Sequence, residues 1–201
     1  MQTLKKIIIN LAREKGILRA RDLGEQQLSR VVLSRLVEDG QLLHLSRGLY
    51  ALPDRVVTEH ETLAEVAIKH SKAVFCLLTA LQIHGLTTQS PHQVWLAVDT
   101  KARIPKMSYP PLKVVRFSGE ALEAGVETML IDGVVSLNIT NIEKTIVDCF
   151  KYRNKIGIDV AIEALQEAFR SKRISMDKIW QYAKICRVSN IMRPYLESLN
   201  D

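Results

Sequence analysis

The stretch that most constrains this chain is Arg30-Val31-Val32-Leu33-Ser34-Arg35-Leu36-Val37-Glu38-Asp39, stopped by Gly40 and followed at once by two short apolar runs around a turn. Val32, Leu33, Leu36 and Val37 recur at helical spacing, and Ser29 stands in the N-cap position before them. Leu42–Leu45 and Leu49–Leu52 flank Ser46-Arg47-Gly48, with Pro53 as a breaker, which predicts a β-hairpin. Upstream, Leu4, Ile7, Ile8 and Leu11 have the spacing of an amphipathic helix over Thr3 to Lys15, and Gly16 is placed to end it. The segment from Arg19 to about Glu25 is long enough for two helical turns. Three short helices with a hairpin after the third is the order of a winged helix-turn-helix, predicted here over residues 1–55.

A brief connection leads to a second predicted domain, residues 58–201. Thr58-Glu59-His60-Glu61 has the pattern of a capping box for a helix to about His70, and a further helix is predicted from Ala73 to His84, ended by Gly85. Val94–Val98 and Leu112–Phe117 read as strands, separated by a loop, Lys101 to Pro111, with three prolines and three basic residues. Asp132-Gly133 is the turn chemistry of a tight hairpin between Thr128–Ile131 and Val134–Leu137. Thr140-Asn141-Ile142-Glu143 is another capping-box pattern. It opens helical segments with apolar faces at Ile142, Ile146, Cys149 and Phe150, then at Val160, Ala164, Leu165, Ala168 and Phe169, then at Ile179, Tyr182, Ala183 and Cys186. The fold class is α+β: a winged helix-turn-helix followed by a larger α/β domain with a central sheet and a C-terminal helical layer.

With 47% hydrophobic and 25% charged residues the chain can build a core, and its formal net charge of +6 favours polyanionic partners. The excess is uneven: residues 1–55 carry ten Lys and Arg against six Asp and Glu, the rest eighteen against sixteen. No apolar run approaches the roughly 20 residues that span a bilayer, and the start lacks a signal-peptide pattern, so a cytoplasmic location is expected. Cys76, Cys149 and Cys186 sit in apolar helical patterns and read as buried thiols of a reducing compartment, with neither a disulfide framework nor a zinc site.

A helix that enters the major groove is apolar inside and short, polar or basic outside. Arg30, Ser34 and Glu38 form an outer stripe, with Gln27 leading in and Arg35 at its edge. Arg pairs bidentately with guanine and Gln with adenine, so Arg30 and Gln27 are the candidates for reading bases. Ser29 at the helix N-terminus suits a phosphate, as do Arg19 and Arg21. Arg47 at the hairpin tip would meet the backbone or the minor groove.

The run Leu33 to Leu42, followed by Ser46-Arg47-Gly48-Leu49-Tyr50-Ala51-Leu52-Pro53, resembles the N-terminal domain of the AbiEi family, antitoxin-type transcriptional regulators of bacterial abortive-infection systems. Leu78 to Leu86, ending in His84-Gly85-Leu86, and Asn141-Ile142-Glu143-Lys144-Thr145-Ile146-Val147-Asp148 are similar to helices of the family's second domain. The loop Lys101 to Pro111 has no counterpart in that resemblance. What it implies is a repressor that binds inverted repeats in its own promoter and counteracts a nucleotidyltransferase-like toxin encoded beside it, without having to bind the toxin directly. Because one winged helix offers a small contact area, two copies are expected on DNA.

Enzymatic patterns are weaker. Asp99-Thr100-Lys101 has the Asp-x-Lys spacing of metal-dependent nucleases, which a strand ending in a polar turn also explains. His60-Glu61 begins a zinc-protease motif that fails at Ala64. His84 reads as a helix-end histidine favourable to the local dipole, and Glu143 as a capping residue. Glycine-rich phosphate loops, Gly-x-Ser-x-Gly and the Asp-x-Asp of nucleotidyltransferases are all missing, so no active site, cofactor or metal is assigned. The remaining alternative is a winged helix serving as a protein-interaction module.

Overall fold

A computed structural model describes residues 2–25, 30–46, 48–54, 61–131 and 135–199. The chain divides into two compact units, Met1–Lys69 with Leu130–Leu137, and His70–Met129 with Asn138–Asp201.

The first unit opens with α1 (Gln2–Lys15), ended by Gly16 at φ +64°. Its buried face is Ile8, Leu11 and Ala12, while Leu4 and Ile7 are more than a third exposed. The core-facing stripe is therefore rotated from the Leu4-Ile7-Ile8-Leu11 pattern that spacing predicts. A strand, β1 (Ile17–Arg19), follows before a single turn of α2 (Asp22–Glu25), where two helical turns are expected. Three residues are too few for alternation to register, and β1 exists because it pairs antiparallel with β3 (Leu49–Ala51), Leu18 opposite Tyr50. The far side of β3 pairs with β2 (Leu43–Ser46), giving the order β1-β3-β2.

Between α2 and β2 in the chain comes α3 (Arg30–Glu38). It stops at Gly40, φ +67°, whose N–H donates to the Val37 carbonyl while Gln41 and Leu42 donate to Leu36. Leu33 and Leu36 bury against Ile8, Leu11, Leu18, Leu23, Leu42 and Leu52, one core shared by helices and sheet. α4 (Glu61–Lys69) buries Leu63, Ala64, Val66 and Ala67. Of its predicted capping box, Thr58, Glu59 and His60 lie outside the described residues.

A second sheet is built on strands β4 (Val74–Phe75), β5 (Val94–Asp99), β6 (Leu112–Phe117), β7 (Val126–Ile131) and β8 (Val135–Thr140), in the order β6-β5-β4-β8-β7, with Leu130–Leu137 of its last two strands counted with the first unit. β4 pairs antiparallel with β5 and parallel with β8, and β5 pairs parallel with β6 along its whole length. The helix predicted over Ala73–His84 is instead β4 followed by α5 (Leu77–Ile83). Leu77 breaks the run at φ +49°, a backbone conformation held by complete burial. Between β6 and β7 lies a single turn, α6 (Glu120–Glu123).

The C-terminal layer comprises α7 (Ile142–Lys151), α8 (Arg153–Ile156), α9 (Ile158–Arg170), α10 (Met176–Ile185) and α11 (Ser189–Glu197). α7 lies at its centre, with every residue from Glu143 to Phe150 buried. Trp95, Val115 and Phe117 of the sheet pack in one core with Ile146 and Phe150 of α7, Leu165 of α9, Ile179 of α10 and Met192 of α11.

Candidate nucleic-acid interface

α3 presents two chemically different faces. Leu33 and Leu36 are inside, whereas Val31, Ser34, Arg35 and Glu38 are exposed. These four share one stripe, since Val31 precedes Ser34 by three residues, Arg35 by four and Glu38 by seven. Val31, 60% exposed, is the residue that sequence reasoning left unassigned. The spacing that places Ser34 and Glu38 outside would have placed it there too. Arg30 is the first residue of α3. Its side chain, along with Gln27, Ser29 and Arg47, lies outside the described residues.

Arg21 is exposed at the corner between β1 and α2. Arg19 is engaged at the same corner: its Nε donates to Asp22 Oδ1 at 2.8 Å and its backbone N–H to Asp22 Oδ2 at 3.1 Å. Lys15 Nζ lies 3.5 Å from that carboxylate, which is almost fully buried. Two cations on one buried anion leave the corner with positive charge while fixing how α2 leaves β1. The hairpin turn is tied to it, because the Ala20 N–H donates to the Gly48 carbonyl at 2.8 Å. Lys5 Nζ pairs with Asp39 at 2.6 Å, linking α1 to the end of α3.

The second unit buries a small set of titratable groups. Lys144 and Asp148 pair in the core, with Lys144 Nζ 4.7 Å from the centre of the Phe117 ring and Cys186 Sγ 3.5 Å from Asp148. Burial pushes the Cys186 thiol up to about 11, and pushes Cys76 and Cys149 well above the ordinary thiol range, so all three are protonated. They are free and buried, as their apolar setting predicts.

Two readings from sequence need correction. His84 does not serve the helix dipole as a cation, because burial lowers its pKa, and its Nε2–H donates to the Thr140 carbonyl at 2.7 Å. Thr140 and Glu143 do not form a capping box. The N-cap is Asn141, whose side chain accepts from the Lys144 N–H, while Glu143 accepts from the Ser175 N–H at 3.2 Å. Asp99 uses Oδ1 to accept from the Lys101 N–H at 2.8 Å, closing the turn after β5. Among the described residues no group of three or more His, Cys, Asp or Glu side chains is gathered to hold a metal, and no helix is long and apolar enough to cross a membrane.

No curated protein matches the chain. Its fold is similar to the crystal structure of the RV2827C protein from Mycobacterium tuberculosis, with a TM-score of 0.60 at 15% identity, over 90% of this chain and 71% of that one. Residues 6–53, which run from α1 through β3 and include the two-faced helix α3, match the family model described as a transcriptional regulator, AbiEi antitoxin.

Proposed function

We propose that this chain is a sequence-specific DNA-binding repressor. In this reading residues 1–55 form a winged helix-turn-helix, α3 is the recognition helix and the β2–β3 hairpin is the wing. The observation that carries it is α3 itself, a helix with a closed apolar back and an exposed front of Val31, Ser34, Arg35 and Glu38, next to a hairpin in a β1-β3-β2 sheet. Arg30 and Gln27 read bases, Ser29, Arg19 and Arg21 hold phosphates, and Arg47 reaches the backbone or minor groove. For Arg19 the share left to DNA is what its bond to Asp22 does not use.

The match of residues 6–53 supports the role of an antitoxin-type regulator; in our reading it represses its own operon through inverted repeats, two copies to a site, opposite a nucleotidyltransferase-like toxin. Buried, protonated thiols agree with a cytoplasmic setting. The second unit is read as non-catalytic, with His84, Glu143 and Asp99 occupied by backbone partners.

The test is fluorescence anisotropy of the full chain on its own upstream DNA and on a scrambled duplex, across a salt series. Preference for the native DNA with a steep salt slope supports the repressor. Weak binding to both duplexes sinks it in favour of a protein-interaction module.

A further inference from the structure

Residues 100–111 return the chain from the end of β5 to the start of β6. Parallel pairing requires a connection that travels back the length of a strand, which accounts for the length of this loop. It does not account for its charge. From Lys101 to Phe117 the chain carries five basic residues and no acidic one, whereas the other thirteen Lys and Arg of residues 56–201 are outnumbered by sixteen Asp and Glu.

The loop is held at both ends. Arg116 Nη1 donates to the carbonyls of Asp99 at 3.0 Å and Ala102 at 3.2 Å, and also to that of Thr100. At the other end the Val94 N–H donates to the Pro111 carbonyl at 2.9 Å. What the anchored loop displays is cationic and apolar together. Lys101, Arg103 and Lys106 are exposed, and no carboxylate among the described residues pairs with them. Ile104 is 49% and Tyr109 71% exposed.

We propose that this loop binds single-stranded nucleic acid, with Lys101, Arg103 and Lys106 on phosphates and Tyr109 stacked on a base. Cations interleaved with an exposed ring fit a strand whose bases are unstacked and present their faces. In a duplex those faces are covered by neighbouring base pairs, leaving Tyr109 without a partner. This contact is separate from duplex recognition by α3.

The test uses the full chain and fluorescein-labelled oligo(dT) and oligo(U) of about twelve nucleotides, within the usual site size of such surfaces. Both are expected to bind at low salt through the shared phosphate and base contacts, and tighter binding of oligo(U) identifies RNA as the source. Tyr109→Ala weakens binding about tenfold, in the range of one lost stacking contact, and Tyr109→Trp retains it. Replacing Lys101, Arg103 and Lys106 by Gln lowers the slope of log K against log salt by about two. Operator-duplex affinity stays unchanged in all these variants. The proposal is overturned by wild-type chain that ignores both oligonucleotides, by binding indifferent to these substitutions, or by variants that lose duplex affinity equally.

Discussion

Lys144 Nζ lies 2.6 Å from both carboxylate oxygens of Asp148, one turn further along α7, and the two side chains are 1% and 0% exposed. Such a pair is worth little beyond its own desolvation cost, yet each member is indispensable to the other. Asp148→Ala leaves a buried ammonium without a counter-ion and is expected to destabilise the chain by about 3–5 kcal/mol. Lys144→Met leaves a buried carboxylate and costs a similar amount. The double variant Lys144→Met/Asp148→Leu recovers most of the loss, read as midpoints of urea unfolding; a double variant no better than the singles contradicts this account.

Gly125 sets how closely the chain before β7 approaches that pair. A Cβ there would sit 2.6 Å from Lys144 Cβ and 3.1 Å from Tyr182 Cζ, and the glycine is at φ +68°. Gly125→Ala therefore meets both a clash and a left-handed backbone. A loss of about 2 kcal/mol or more is expected in the same unfolding measurement.

His84 makes stability depend on pH. Burial lowers its pKa below the ordinary 6.5, so as pH falls the unfolded chain takes up this proton before the folded one does. The stability due to neutral His84 is complete above pH 6.5 and is lost as pH drops through the folded-state value. His84→Gln can keep the bond to the Thr140 carbonyl without titrating. Unfolding midpoints at about pH 7.5 and about pH 5.5 should differ less in this variant than in the wild type.

The two arginines proposed to meet DNA differ in what they contact. Arg30→Ala is expected to weaken binding to the native site far more than to a scrambled duplex, and Arg47→Ala to weaken both alike. Equal losses from both variants in anisotropy titrations would reverse the assignment.

Val31 offers a finer measurement. If its exposed side chain meets a thymine methyl, replacing that thymine by uracil costs the wild type roughly fourfold in affinity, about 0.8 kcal/mol for one buried methyl. Val31→Ala then shows a smaller loss. A uracil scan of the operator that leaves wild-type binding flat removes Val31 from the contact.

The amphipathic pattern of α3, its stop at Gly40, the β2–β3 hairpin, the β7–β8 strands and the helices after Asn141 were legible in sequence, because periodicity, glycine and turn chemistry act within a few residues of one another. β1 and β4 were not, since a strand of two or three residues exists only through its partners: β3 for one, β5 and β8 for the other. The same division holds for the polar groups. Glu143, Thr140 and His84 each suggested a local role, and packing assigned them other partners. Lys144 and Asp148 stand four apart on α7, a spacing that on a surface helix is an ordinary solvated pair. Sequence alone determined that they could meet. Only the sheet and helices closed around α7 decided that they meet without water, where neither charge can be removed singly.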